Sequence, residues 1–476
     1  MISEAIQTTN EQGTSEGDAS PAGKTRGDVS RAHASSAPRS RARIHLWFGV
    51  ITLIYAFDFA DRFLVSAILP YLKSDFHLTD ARAGLLGGMV YLGLALFALP
   101  SGALIDRWSR KRMIAIMTSL WSLATWATGF ARSYPALLAS RLFVGVGEAG
   151  YNPAGYALIA AWYPQRLRGT MVGFFNVAQP VGSGLGMALA GYIADRYGWR
   201  HVFGVLAIPG FVLAVLVLFA PDFRTRQAGQ GSPEARVKFR EVMAYVRGNR
   251  TLQLIFAVQL PVSFYSISWA TWSPSFFTRT FSISVGQAGR AVMAVVAVAA
   301  LGPPIGGYLS DRWARRRADG RLRSAVVFLT VMLGLHLILF GLAGRGLAYG
   351  PSIALAAVAQ FFMAAHWGTL VAASLDLTPP HYRGTCQAFL PLAQGVVAFG
   401  SAALTGAISD RLGLATALAI SATVGIGTAL AVLAAARRSY RSDSRRREAL
   451  GHFEVEIGAW EKPERRSKGG GTRRLR

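Results

Sequence analysis

Cysteine occurs once in this 476-residue chain, at Cys386, so neither an intrachain disulfide nor a cysteine-based metal cluster can form. Charge is scarce, at 16% of residues, and Asp and Glu number 25 against 50 Lys and Arg. No phosphate-binding loop of the Walker type occurs, which argues against an ATP-driven pump. The eight histidines are scattered without metal-ligand spacing, so no metal and no cofactor is expected. Two matches to catalytic patterns lack the context that gives them meaning. Gly145, Gly147 and Gly150 satisfy GxGxxG inside an apolar run with no preceding strand, and Gly13 to Gly17 satisfies the nucleophile-elbow pattern in a polar tail. An enzyme is not expected.

What the chain has in abundance is apolar length. Hydrophobic residues make up 52% and the mean hydropathy is +0.33, more apolar surface than a water-soluble domain can hide. Twelve stretches near 44–70, 83–105, 112–131, 135–160, 169–194, 201–220, 251–278, 286–309, 324–342, 352–375, 385–408 and 414–436 approach the roughly 20 residues a helix needs to cross a bilayer. The first 43 residues are rich in Ser, Gly, Ala and charge, without the apolar core of a cleaved signal, so the first span is expected to direct its own insertion. The expected parts are a disordered tail (1–43), two groups of six spans (44–220 and 251–436), a basic connection (221–250) and a basic tail (437–476). In the connection, Phe239, Val242, Met243 and Val246 keep helical spacing. That suits a helix lying on the membrane interface, or an ordinary linker helix.

The chain repeats itself. GALIDRWSRKR, from Gly102 to Arg112, is answered 205 positions later by GYLSDRWARRR, beginning at Gly307. IADRYG at Ile193 to Gly198 is answered by ISDRLG at Ile408 to Gly413, and Arg168-Gly169-Thr170 by Arg383-Gly384-Thr385, both 215 positions on. The ten-residue difference belongs in loops, where insertions are tolerated.

If alternate connections lie on opposite sides, most Lys and Arg fall on the side that holds both termini. By the positive-inside rule that side is the cytoplasm, in a multi-pass protein of the cell membrane. The net charge of +25 is then a topology signal and a neighbour of anionic lipid rather than a nucleic-acid surface. In the repeated turn, Asp106 leaves a span and Arg107, Arg110, Lys111 and Arg112 follow it. A carboxylate there can pair with Arg or face the positive end of a neighbouring helix, latching one arrangement of helices. A cytoplasmic gate is therefore expected from Gly102, Asp106, Arg107 and Arg110 and from Gly307, Asp311, Arg312 and Arg315.

The repeated turn resembles the signature loop of the major facilitator superfamily, although Ser109 and Ala314 stand where that family usually has Gly before the second Arg. The resemblance covers residues 44–436 and implies an all-α membrane protein: twelve transmembrane helices in two pseudo-symmetric six-helix bundles, with a site near the midplane. Three further strings, DFADRF, RLFVGVGEAGYNP and QPVGSGLG, resemble the Spinster branch, whose members are associated with sphingolipid and lysolipid transport. Asp58 stands where that branch commonly has Asn. The second string also resembles organic-anion symporters of the same superfamily.

Charge inside a span costs several kcal/mol unless it is paired or hydrated. Asp58, Asp61 and Arg62 lie within span one, and Arg141 and Glu148 within span four, two helical turns or about 10 Å apart. Asp61 is the expected partner of Arg141, and Arg62, turned about 100° away, should meet another neighbour. Asp61 and Glu148 are the candidate proton carriers; Arg62, Arg141 and Asp58 are their charge partners, with either Arg able to meet an anionic substrate group. The matching stretch of the second half holds Ala356 and Met363, so proton chemistry is expected to be concentrated in the first half. Pro180, Gly182 and Gly184 suggest a packing hinge in span five. Gln259, Tyr265, Trp269, Trp272, Gln360 and His366 are candidate substrate contacts, alongside the competing roles of interfacial Trp and packed His. The expected function is a monomeric, proton-coupled secondary transporter of a small amphiphilic or anionic solute. An organic-anion symporter, a drug-efflux antiporter and a non-transporting membrane sensor stay open beside it.

Overall fold

The computed structural model describes residues 41–107, 110–220, 239–379 and 382–460, and every regular element among them is an α-helix. The chain falls into two compact units, Met1–Leu46 and Trp47–Arg476. The described residues of the first are the opening turns of α1, and the packing below is that of the second.

The first half comprises α1 (Arg41–Phe76), α2 (Asp80–Arg107), α3 (Arg110–Thr128), α4 (Tyr134–Glu148), α5 (Tyr151–Trp162), α6 (Gln165–Tyr197) and α7 (Trp199–Val217). After α8 (Phe239–Gly248), the second half comprises α9 (Arg250–Phe281), α10 (Val285–Ala299), α11 (Gly302–Ala314), α12 (Gly320–Leu342), α13 (Tyr349–Leu377), α14 (Arg383–Leu412) and α15 (Leu414–Trp460). These helices reduce to twelve spans because spans four and eight are each broken in two and α8 is the linker helix. Seven spans, among the described residues, are long and apolar enough to cross a membrane on composition alone. Span one departs from that composition because it carries three charges at mid-length.

Both breaks have a backbone cause. In span four, residue 153 is a proline and has no N–H, so the carbonyl of Ala149 loses its helical donor; the hydroxyl of Ser101 on α2 stands 3.3 Å from it and shares its one proton between that carbonyl and the Ala98 carbonyl of its own helix, at 3.0 Å. In span eight, Gly302-Pro303-Pro304 opens α11, where missing N–H groups are harmless because first-turn donors have no helical partner. Some of the other helix starts carry a side-chain cap. Ser284 and Gln287 form a reciprocal capping box on α10, and the side chain of Asn249 accepts from Leu252 N at 2.9 Å at the start of α9. Asn249→Ala is expected to destabilise the protein by about 1 kcal/mol, read as a lowered unfolding midpoint in detergent.

The turns at residues 77–79, 129–133, 198, 282–284, 343–348 and 413 gather at one end of the spans, here called distal, and α8 sits at the other, proximal end. The halves meet along α2 with α14 and along α6 with α10. A two-fold exchange of the halves turns span two into span eight and span five into span eleven, so the two joints map onto each other. Both joints are built from bare backbone. A Cβ on Gly84 would lie 2.3 Å from the Ala402 carbonyl oxygen, one on Gly88 2.1 Å from that of Phe399, and one on Gly289 2.6 Å from that of Met187.

Several expectations change at this level. Gly307 touches nothing that a Cβ would meet; the close contact in that turn of helix belongs to Gly306, where a Cβ would come within 2.6 Å of Ala365. α6 runs unbroken through Pro180. Gly182 presses on Ala56 of the same half, and a Cβ on Gly184 would lie 3.4 Å from Met293 of the other half, so the small residues serve packing on two faces rather than a visible bend. On α8, Val242 and Val246 are buried with Leu252 of α9, so that apolar face is taken up by the second half.

Candidate functional site

Span one brings Asp58, Asp61 and Arg62 to mid-length, and their spacing decides what each meets. Asp58 and Arg62 are one helical turn apart on one face, and Arg62 Nη2 donates to Asp58 Oδ2 at 2.9 Å. The same guanidinium donates through Nε to Glu148 Oε2 at 2.9 Å, across to the last residue of α4. Its plane lies 4.4 Å from the centre of the Phe59 ring. Asp61 turns to another side. The hydroxyl of Thr125 on α3 donates to Asp61 Oδ2 at 2.6 Å, while Arg141 Nη2 donates to the backbone carbonyl of Asp61 at 3.1 Å and Arg141 Nη1 stands 3.7 Å from Asp61 Oδ1.

Three carboxylates therefore share two guanidiniums inside one six-helix half. Asp58, Asp61, Arg141 and Glu148 are each at most 4% exposed, and Arg62 is the outermost member. With every group ionised the cluster carries an excess of one negative charge, a state that a low-dielectric interior opposes strongly. One proton held among Asp58, Asp61 and Glu148 removes the excess. Oxygens able to take it are at hand: Asp58 Oδ1, Asp61 Oδ1 and Glu148 Oε1 are buried with no hydrogen-bond partner among the described residues, as are Nε and Nη1 of Arg141. The Arg141–Asp61 contact is too long for a hydrogen bond at those two atoms, so it is the looser of the two pairings.

An aromatic wall flanks the cluster on the proximal side of span one. Tyr55 stacks on Phe175 with ring centres 4.4 Å apart and lies 5.9 Å from Tyr151, whose hydroxyl donates to the Ile51 carbonyl. Tyr156 donates to Asn176 at 2.8 Å.

The residues of the second half named from sequence are not brought to this cluster. Trp272 is fully enclosed and its indole N–H is spent on the Ala402 carbonyl at 2.9 Å; Trp269 packs among Phe276, Phe277, Phe340 and His336. Tyr265 is buried with its ring against His336. Gln259, Gln360 and His366 each keep a buried polar atom without a partner among the described residues. In the second gate turn, Asp311 accepts from Arg321 Nη1 at 2.5 Å, and Arg321 Nε donates to Asp376 at 2.7 Å, which joins α11, α12 and α13 within one half. Arg312 and Arg315 are exposed. The side chains of Gly102, Asp106, Arg107 and Arg110 lie outside the described residues, although their backbones belong to α2 and α3.

Sequence reasoning passed over Thr125, Ser101, His336 and Arg321. A signal for the first was present: Thr118, Ser122 and Thr125 recur at helical spacing on an apolar span, and all three are buried. Arg321 carries no such signal, because its two acceptors are 10 and 55 residues away.

Comparison with known proteins adds to this geometry. The sequence model of the Major Facilitator Superfamily matches residues 51–389 and 281–467. The chain is 28% identical to the protein spinster of Drosophila melanogaster over 77% of its own length, and it spans 62% of that protein. It is 24% identical to the hexuronate transporter of Bacillus subtilis, covering 75% of this chain and 86% of the relative. Among solved structures, a bacterial homolog of the human lysosomal transporter Spinster, in an inward-facing and unoccupied conformation, superposes with a TM-score of 0.72 at 22% identity, covering 85% of this chain and 98% of that one.

Proposed function

Because this chain belongs to the Major Facilitator Superfamily, we propose that it is a proton-coupled secondary transporter that moves an anionic amphiphile across the membrane by alternating access. The observation that carries the coupling is the charge imbalance in the first half: Asp58, Asp61 and Glu148 against Arg62 and Arg141, all enclosed between α1, α3 and α4. Asp61 and Glu148 trade one proton as each gains or loses its guanidinium. Arg62 then chooses between Glu148 and an arriving anionic group, and protonation of Glu148 frees it to do so. The proximal end faces the cytoplasm on this reading, as the basic connections favour. The turns at Asp106 and Asp311 close that end in the opposite phase of the cycle.

The similarity to the protein spinster and the resemblance of span one support a lysolipid or sphingoid phosphate as substrate. A small organic acid is the second reading, supported by the likeness to a hexuronate transporter. Both present the same anionic group to Arg62 and differ in the apolar tail.

Purified protein in liposomes under an imposed pH gradient distinguishes them, challenged in turn with lysophospholipid, sphingoid phosphate, small organic acids and cationic drugs. Gradient-driven flux of one anionic class is expected. In the Asp61→Asn, Glu148→Gln protein that flux is expected to fall to the gradient-independent level while substrate exchange persists. Flux that still follows the pH gradient after both changes would remove these two carboxylates from the mechanism.

A further inference from the structure

The second sequence repeat, IADRYG and ISDRLG, lies outside the charge cluster and the gate turns, and the structure gives it a shared task. Asp195, at the distal end of α6, faces the first turn of α10 in the other half: Gly286 N donates to Asp195 Oδ2 at 2.8 Å, and the Ser284 hydroxyl to the same oxygen at 2.8 Å. Asp410, at the distal end of α14, faces the first turn of α2: Asp80 N donates to Oδ1 at 2.7 Å and Ala81 N to Oδ2 at 3.0 Å. The two carboxylates are 215 positions apart, and the two receiving amides, Ala81 and Gly286, are 205 apart. Both offsets are those of the sequence repeats, so one contact is present twice, related by exchange of the halves.

We propose that Asp195 and Asp410 are positioning residues of the transport cycle: each caps a helix start of the opposite half and so holds the distal end shut. The inference rests on the alternating-access reading. A carboxylate suits the task because a helix start offers unsatisfied N–H groups and a positive dipole end, and both are re-exposed to water at small loss when the joint parts. Among the described residues, the hydrogen bonds that join the halves lie at this end. The α2 joint has a further tie that the α10 joint lacks: Arg279 donates to both oxygens of Asp80 at 2.7 Å, and the Ser409 hydroxyl donates to Asp80 Oδ2 at 2.6 Å. Loss of Asp195 is therefore expected to open the distal end more than loss of Asp410.

The test replaces Cys386 with Ala and places spin labels at Arg132→Cys and Arg345→Cys, exposed positions on distal turns of opposite halves. Distances between the labels are measured in nanodiscs by pulsed electron resonance. Asp195→Ala and Asp410→Ala are each expected to raise the long-distance population several-fold, and together by about tenfold or more, as loss of one or two caps dictates. Asp195→Asn and Asp410→Asn, which keep an accepting oxygen, should return most of the short-distance population. Asp75→Ala should change nothing, since that distal carboxylate pairs with Trp199 and Arg200 of its own half. An unchanged distance distribution in folded Asp→Ala proteins overturns the proposal. So does failure of both single variants to fold, because a contact that breaks in every cycle cannot be indispensable to the fold. Failure of the carrier reading is distinguishable: it shows as absent flux in liposomes while the label distances still answer to the caps.

Discussion

Arg62→Met is expected to abolish transport and to destabilise the protein by about 3–5 kcal/mol, the usual consequence of removing one partner from a buried ion pair. Among the described residues, Arg62 is the single cation within hydrogen-bond reach of both Asp58 and Glu148, at 2.9 and 2.8 Å. Without it two carboxylates face each other in a dry interior, and both must bind protons or draw water into the bundle. Unfolding of this variant in detergent should accordingly become more unfavourable as the pH falls, because protonation relieves the repulsion left behind in the folded state. The companion variant, Arg62→Met with Asp58→Asn and Glu148→Gln, separates structure from mechanism. Stability is expected to return, since no uncompensated charge remains, whereas proton-driven flux is not. A wild-type unfolding midpoint in the single variant would show that the guanidinium does not hold these carboxylates.

Gly84→Leu is expected to stop turnover by a different route. Its Cβ would fall 2.3 Å from the Ala402 carbonyl oxygen and 2.8 Å from the Ala403 nitrogen, both backbone atoms that cannot swing aside. Relief requires α2 and α14 to separate, which is the distal-open arrangement. The variant should fold, bind substrate from the distal side and fail to complete a cycle. The readout is a raised long-distance population for labels at Arg132 and Arg345, together with absent flux. Gly173→Leu on α6 is the matched control, because nothing lies within 4 Å of the added carbon there. Undiminished flux in Gly84→Leu would mean that the joint need not close.

Much of this architecture was legible in the sequence because its causes are local. Apolar length places the spans, and the repeated strings expose the duplication. Charges at mid-span stand out because lipid tolerates so few of them. The pairing of those charges was partly accessible too: helical spacing puts Asp58 beside Arg62 and turns Asp61 elsewhere. Contacts set by packing between distant helices left no such trace. Arg279 reaches Asp80 across 199 residues, and Asp410 reaches the start of α2 across 330. Gly306 rather than Gly307 makes the close approach to α13, a distinction of one residue that depends on how α11 is rotated. The split of span four was concealed for another reason. A proline in an apolar run usually bends a helix without ending it, and here the hydroxyl of Ser101 stabilises the interruption from α2.

The reciprocal capping of α2 by Asp410 and of α10 by Asp195 has the form of an isologous interface, in which each surface supplies what it also receives. A single six-helix unit carrying one such aspartate and one such helix start would be self-complementary. Two copies could close on each other before any linker joined them, and fusion of the pair would then free each copy to diverge. The charged cluster in one half and its apolar counterpart at Ala356 and Met363 in the other are where two such units would have to differ.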